Sequence, residues 1–284
     1  MERSLEMVQA KLVILGLAAL GAVSCGPRFT WESHPVDGHR TGVVASNASN
    51  VPEAMGVVAD GVYTAPNGRT FTEGSIVGVA QAMLDVQPAM AELKQVIGHS
   101  TKEMLRYGPE CELANWTVDH IMEDVARLTG KHVDVGVLNL GGIRVDMPAG
   151  DVLLDDIVSM FPFKNFLTYV GLKGKDLLGV FEFMASTQVQ PVGGVKIVVT
   201  DHKIDTLLIG GQPLDPEKLY GVATIDFLID GGDGLTIAKN SKELIITEST
   251  VIDSMLPYAK SFAEAGKPIE YFTDGRAVVR RTAE

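Results

Sequence analysis

The chain has 284 residues, a formal net charge of −12 at pH 7 and 46% hydrophobic residues. This length suits one large domain with an extension, and the composition can supply a packed core. The acidity argues against DNA or RNA polymers as partners, because affinity for a phosphate backbone depends on clustered lysine and arginine. A small anionic ligand remains compatible with a few locally placed arginines.

The first residues are typical of an export signal. Two basic residues precede an apolar run, residues 12–23, which is too short to cross a bilayer but suits the core of a signal peptide. The run ends in Ala22-Val23-Ser24-Cys25-Gly26, which resembles a bacterial lipobox. We therefore expect a signal peptide at 1–24 and an exported protein, periplasmic or at the cell surface, held to the membrane only by lipid on Cys25. The alternative is a buried N-terminal helix followed by an unrelated cysteine.

Residues 25–84 are predicted to form an N-terminal extension. Gly, Asn, Pro and Thr are frequent there, and short β-type pairs stand between turn signals at 43–44, 57–58 and 62–63. An ordered extension and a simple linker both fit this composition.

Helices and strands alternate irregularly in the rest of the chain. The sequence predicts a helical pattern at 76–98 interrupted by Pro88, a helix at 115–128 ended by Gly130, a strand at 133–138, a short helix at 151–161, a strand at 167–172, a helix at 174–186, a hairpin at 195–200 and 204–209, a strand at 219–224 and a helix at 249–265. Because no regular βαβ order appears, the pattern favours an α+β fold over a doubly wound parallel sheet.

Three short segments carry side chains suited to a nucleoside, and they are Asn139-Leu-Gly-Gly-Ile-Arg144, Pro162-Phe163-Lys-Asn165 and Phe227-Leu-Ile-Asp-Gly-Gly-Asp233-Gly234. Two aromatic faces can stack on a base, and a planar guanidinium suits hydroxyl or phosphate oxygens. An amide both donates and accepts, and a carboxylate can accept from both ribose hydroxyls.

Each feature also has an ordinary structural explanation. A single phenylalanine is most often buried in a core, and Asn139 with its glycines suits a tight connection with a solvated Arg144. Asp233 suits an Asx-turn. The functional interpretation depends on the occurrence of all three segments in one chain.

Taken together, these segments resemble the 5′-nucleotidase C-terminal domain family. The resemblance extends over roughly residues 95–280 and includes Ala149-Gly150-Asp151, Leu172-Lys-Gly174-Lys-Asp-Leu177 and the stretch Tyr220–Gly234. It implies a layered α/β/β/α sandwich, and we assign residues 85–284 to this domain.

The resemblance also implies the roles of individual residues. It implies that Phe163 and Phe227 sandwich the base, and that Asn139, Arg144 and Asp233 are ligands. Asn165 belongs to the same P-F-x-N motif. Arg106, ahead of Glu110–Asn115, is the nearest candidate for a further family arginine.

Complete enzymes of this family also carry an N-terminal metallophosphoesterase domain with two metals. Asp37-Gly38-His39 matches one of its motifs by letters only, and the six histidines are scattered. We therefore assign no metal site, cofactor or catalytic residue to this chain, and expect divalent metals in a separate metallophosphoesterase. The sequence predicts the nucleotide-binding half of a split 5′-nucleotidase; the alternative is a non-catalytic, lipid-anchored nucleoside- or nucleotide-binding protein.

Overall fold

The computed structural model describes residue 46 and residues 49–282. The predicted signal peptide, the predicted lipid attachment at Cys25 and the strand predicted at 43–44 lie outside the described residues. In the described part of the chain, no helix is long and apolar enough to cross a membrane.

The described residues contain six α-helices and fourteen β-strands. The helices are α1 (Val51–Met55), α2 (Ser75–Asp85), α3 (Glu112–Thr129), α4 (Leu154–Met160), α5 (Gly174–Ser186) and α6 (Val251–Glu264). The strands are β1 (Val57–Ala59), β2 (Val62–Thr64), β3 (Thr70–Phe71), β4 (Val96–Ser100), β5 (Val135–Val137), β6 (Gly150–Leu153), β7 (Phe166–Lys173), β8 (Val192–Gly193), β9 (Val195–Thr200), β10 (Lys203–Ile209), β11 (Gln212–Pro213), β12 (Leu219–Ile225), β13 (Glu243–Thr250) and β14 (Ala277–Arg280).

A five-stranded mixed sheet forms the centre of the fold, with strand order β13-β7-β12-β5-β8. Strand β12 runs parallel to β5 and antiparallel to β7. The carboxyl ends of β5 and β12 therefore meet the amino end of β7 at one edge of the sheet, and this edge places the three predicted binding segments near each other.

Helices cover both faces of this sheet. Helix α3 packs on β5, β7, β8 and β12, and α6 packs on α3. Helix α5 contacts β7 and β12 and also β10 of a four-stranded sheet ordered β11-β10-β9-β14. Strand β12 is buried from Tyr220 to Ile225, which requires cover on both sides. The α+β class predicted from the irregular element order is confirmed.

Helix α3 shows why the local predictions succeeded where periodicity and end signals agree. Trp116, Ile121 and Val125 are fully buried on its inner face. The Cys111 sulfur accepts from the Ala114 amide at the start of the helix, and Gly130 ends it in the left-handed region at φ 67°. Glycine is favoured there because it has no Cβ to clash.

The helical pattern predicted at 76–98 is wrong in its second half. Helix α2 ends at Asp85, turns follow through Pro88, and Val96 and Ile97 belong to β4. Strand β4 pairs antiparallel with β6, and Val96 lies opposite Leu153 in this pairing. The long-range pairing outweighs the local helical spacing of the apolar residues. The same pairing corrects the helix predicted at 151–161, whose first residues form β6 while only Leu154–Met160 is helical.

Candidate functional site

The three predicted segments meet at the edge where β5 and β12 end and β7 begins. Asn139 follows β5, Phe163 precedes β7, and Phe227 follows β12. The Phe166 amide donates to the Asp226 carboxylate over 3.0 Å, which joins the start of β7 to the loop after β12. Sheet topology thus places residues close together that are up to 94 positions apart.

A hydrogen bond joins the first and third segments directly. The Asn139 side-chain amide donates to an Asp233 carboxylate oxygen over 2.9 Å. Asn139 is only 8% exposed, whereas Asp233 is exposed and has a left-handed backbone at φ 50°. The Asp233 carboxylate therefore bonds across the site, and the Asn139 side chain makes no capping bond to the 3₁₀ turn Leu140–Gly142 that follows it.

Glycine is required at two positions of this edge because other atoms of the site lie too close to leave room for a Cβ atom. A Cβ on Gly142 would lie 2.7 Å from the Asn139 side-chain oxygen. A Cβ on Gly232 would lie 2.0 Å from the Phe227 carbonyl oxygen. A side chain at either position would displace a predicted ligand residue.

The two predicted aromatic faces are both available at the surface. Phe163 and Phe227 are each 45% exposed, although phenylalanine side chains are commonly buried. Among the ring contacts of the described residues, none joins Phe163 to Phe227. The Arg144 guanidinium lies 5.8 Å from the centre of the Phe163 ring and donates to the Gly141 carbonyl over 3.2 Å. Arg144 is therefore held beside one of the two aromatic faces.

Two cavities lie at this edge, and between them they are lined by all of the predicted residues except Arg144 and Phe227. A small one of about 20 Å³ is lined by Asn139, Phe163 and Asn165. A larger one of about 460 Å³ is lined by Arg106 and Asp233, and Phe227 lines neither. The Arg106 guanidinium donates to the Ile143 carbonyl over 3.0 Å, so Arg106 is tied to the Asn139 segment although the sequence match was loose there.

Two residues of the larger cavity are absent from the sequence prediction. Phe183 on α5 is 37% exposed, and its ring packs against the backbone at Gly234. Gln190 is 8% exposed, and its side-chain oxygen accepts from the Leu140 amide over 3.0 Å. Phe183 lies outside the buried face of α5 that Leu177 and Phe181 form. An aromatic residue outside the apolar face of a helix is the sequence signal that could have identified Phe183 as a site residue. No local signal marked Gln190.

The histidine, cysteine and acidic side chains of the described range, residue 46 and residues 49–282, do not form a metal cluster. Within this range, no group of three or more His, Cys, Asp or Glu side chains could hold a metal ion. The pairs His99–Asp151, at 3.6 Å, and His132–Asp134, at 3.5 Å, each bring together one imidazole and one carboxylate.

Comparison with known proteins identifies the family. Residues 96–240, about half of the chain, match the model for the 5′-nucleotidase, C-terminal domain. An apyrase from Tabanus yao is 30% identical over 194 residues, which cover 59% of this chain and 34% of the apyrase. Protein UshA from Escherichia coli K12 is 34% identical over 129 residues, which cover 43% of this chain and 23% of UshA.

Solved structures support the same fold. The 5′-nucleotidase precursor from Thermus thermophilus superposes with a TM-score of 0.64 at 24% identity, over 76% of this chain and 45% of that chain. The Haemophilus influenzae NAD nucleotidase superposes with a TM-score of 0.54 at 17% identity, over 78% of this chain and 48% of that one. The matched regions span less than half the length of these relatives. Because the family model matches about half of this chain, the chain belongs to the 5′-nucleotidase C-terminal domain family.

Proposed function

We propose that this chain is the nucleotide-binding half of a split 5′-nucleotidase. It holds the nucleoside part of a 5′-nucleotide, while a separate metallophosphoesterase supplies the divalent metals and hydrolyses the phosphate ester. The observation that carries this proposal is the convergence of Asn139, Phe163, Phe227 and Asp233 at one sheet edge of a 5′-nucleotidase C-terminal domain.

In the proposed binding mode, the base lies between the rings of Phe163 and Phe227. Each ring is about half exposed, so stacking a base removes apolar surface from water without unfolding a core. The Arg144 guanidinium lies 5.8 Å from the centre of the Phe163 ring, and its planar donors suit ligand oxygens.

The remaining predicted residues fix the sugar and the base edge. Asp233 keeps one carboxylate oxygen for the Asn139 amide and offers the other to ribose hydroxyls. Asn165 borders the small cavity beneath Phe163, and Arg106 borders the larger cavity beside Asp233. This prebuilt arrangement orients the ligand at low entropic cost, which is how a binding domain contributes to a reaction completed by another module.

We further propose that the protein is exported and lipid-anchored through Cys25. The apolar run at 12–23 and the lipobox-like residues 22–26 support this proposal. Changing Cys25 to Ser should move the protein from the membrane fraction to the soluble fraction and abolish incorporation of labelled fatty acid. Retention in the membrane fraction without label would contradict the lipid anchor.

Calorimetric titration of the protein with adenosine and AMP tests the binding function. The same samples are then assayed for phosphate release with added divalent metal, with and without a candidate metallophosphoesterase. Binding of either ligand, no turnover alone and faster turnover with the phosphoesterase would support the proposal. Absence of binding would refute it. Turnover by this chain alone would contradict the division of labour, and binding with no response to any phosphoesterase would favour a nucleoside receptor.

A further inference from the structure

A cluster of polar aromatic side chains lies between α3 and α6. The His120 ring stacks on the Tyr258 ring with centroids 3.7 Å apart and planes 3° apart. The Trp116 ring stacks on the same tyrosine at 5.3 Å. Trp116 Nε1, His120 Nδ1 and Ser254 Oγ are buried and have no hydrogen-bond partner. Three unpaired buried polar atoms in one contact between two helices are unusual, because such atoms are normally paired.

Protonation of His120 would make this contact unfavourable. A neutral imidazole carries one N–H, whereas the protonated ring carries an N–H on both nitrogens. Nδ1 is buried and makes no hydrogen bond, so the positive charge of the protonated ring would be poorly solvated. Burial lowers the pKa of His120, and this effect outweighs the opposing attraction of Asp124, the Ser254 backbone and Glu123. The charged or titratable groups around the ring are Asp119, Glu123, Asp124 and Arg127 on α3 and Tyr258 on α6.

The same two helices form part of the small cavity at the proposed nucleoside site. Thr117 of α3 and Val251, the first residue of α6, both line that cavity together with Asn139, Phe163 and Asn165. The Val251 amide donates to the Asn165 carbonyl over 3.0 Å.

The contact between His120 and α6 lies close to this cavity along both helices. Thr117 stands one turn before His120 on α3, and Val251 stands one turn before Ser254 on α6. The spacing of α3 and α6 at His120 therefore also sets the spacing of two walls of the cavity.

We propose that His120 is a proton-sensitive positioning residue for the nucleoside site. The neutral imidazole holds α6 against α3 and keeps Val251 at the wall of the small cavity. The protonated imidazole shifts α6, moves Val251 together with Asn165 and weakens ligand binding. The identity of the ligand in this inference rests on the proposed function, whereas the predicted movement of α6 is independent of it. By linkage, a bound nucleoside favours the neutral ring to the same extent.

Nuclear magnetic resonance of the full chain tests the movement without any ligand. The His120 ring and the Val251 and Thr117 amides are followed as the pH is lowered. All three are expected to change with one common midpoint below 6.5, the ordinary pKa of histidine. A Val251 amide that does not respond while the His120 ring titrates would overturn the inference.

Three variants distinguish His120 from the other histidines. His120→Phe keeps a ring to stack on Tyr258 and cannot titrate, and His120→Gln is a second variant without the bulk of phenylalanine. His132→Gln is the matched control, because the His132 side chain is 85% exposed. Both His120 variants should abolish the common transition of Val251 and Thr117, and the control should keep it. A transition that survives in both His120 variants would assign it to another group and overturn the inference.

Adenosine binding supplies the functional readout. In the unmodified chain, the dissociation constant should rise as the pH is lowered from about 7.5. The rise reaches about tenfold once the pH is below the pKa of His120 in both the free and the bound state, if the two pKa values differ by about one unit. The rise should vanish in His120→Phe and persist in His132→Gln. An unchanged rise in His120→Phe would overturn the coupling. If adenosine does not bind at any pH, the proposed function fails, and the Val251 resonance still decides whether His120 moves α6.

Discussion

At the scale of single residues, the hydrogen bond between Asn139 and Asp233 depends on the absence of a side chain at Gly142. Replacing Gly142 with Ala places a Cβ 2.7 Å from the Asn139 oxygen and should force the amide away from Asp233. We expect a loss of stability of about 1–3 kcal/mol together with weaker adenosine binding. Urea unfolding and calorimetry measure the two effects.

Gly141→Ala is the matched control for this change. Its Cβ would lie 3.6 Å from the Asn139 nitrogen, an ordinary contact distance. Equal effects of the two alanines would show that the loop, and not the Asn139 side chain, responds to the substitution.

Phe227 offers a direct test of base stacking. Replacing Phe227 with Ala removes one aromatic face and should weaken adenosine binding by about 1–3 kcal/mol. Because Phe227 is 45% exposed, the free energy of unfolding should change much less than for a core phenylalanine. Phe71→Ala in the three-stranded sheet β1-β2-β3 is the control, since that sheet contains no predicted ligand. Unchanged adenosine affinity in Phe227→Ala would remove Phe227 from the site.

Asp233 tests recognition of the sugar. Replacing Asp233 with Asn removes a carboxylate that can accept from both ribose hydroxyls, so binding of adenosine should fall more than binding of 2′-deoxyadenosine. Titration of both ligands into the variant measures the difference. Asp230→Asn, an exposed carboxylate in the same loop, should leave both affinities unchanged. Equal losses for the two nucleosides would refute the ribose contact.

At the scale of secondary-structure elements, periodicity identified helices but did not tell which of them are buried. Val79 and Met83 on α2 have the same helical spacing as the core residues of α3, yet they are 56% and 51% exposed. Ile121 on α3 is fully buried. An apolar stripe indicates a face that can be buried, and burial itself depends on which element packs against it.

Substitutions in these two helices should therefore differ widely in the size of their effect. Val79→Ser should change the free energy of unfolding by no more than about 0.5 kcal/mol, because the side chain is already in water. Ile121→Ala should cost about 2–5 kcal/mol, since it leaves a cavity in the core. Urea denaturation compares them, and a large loss in Val79→Ser would mean that α2 packs against another surface in solution.

At the scale of the whole molecule, four groups give stability the same direction of pH dependence. Burial lowers the pKa of His120. Hydrogen bonds lower the pKa of three aspartates: Asp201 accepts from Thr282, Asp253 from Thr250 and Asp274 from Arg276. Each group binds its proton more weakly in the folded state than in the unfolded state, so acid favours unfolding.

The free energy of unfolding should therefore fall in two steps as the pH decreases. The first step begins near 6.5 and belongs to His120, and the second begins near 3.8 and belongs to Asp201, Asp253 and Asp274. Burial raises the pKa of Asp156, which opposes the second step. Thermal unfolding at a series of pH values measures both steps. His120→Phe should remove the first step and leave the second, and a first step that persists in this variant would contradict the assignment.

The family, the α+β class and the types of residue in the three segments could be predicted from the sequence. These features rest on local chemistry: glycine permits close backbone approach, and helix periodicity with a glycine stop predicted the end of α3 at Gly130. The sequence could not show whether Val96 lies in a helix or in a strand, because a short apolar run is compatible with both.

Which of these residues come into contact depends on how the strands and helices pack together. The parallel pairing of β5 and β12 brings Asn139 to Asp233, and the packing of α5 brings Phe183 to the larger cavity. The Asp233 carboxylate, for which the sequence also allowed a local turn, accepts a hydrogen bond from Asn139 in the loop after β5. Such contacts join positions far apart in the chain. They are stabilised by apolar surface that both partners bury together, which a short stretch of sequence does not reveal.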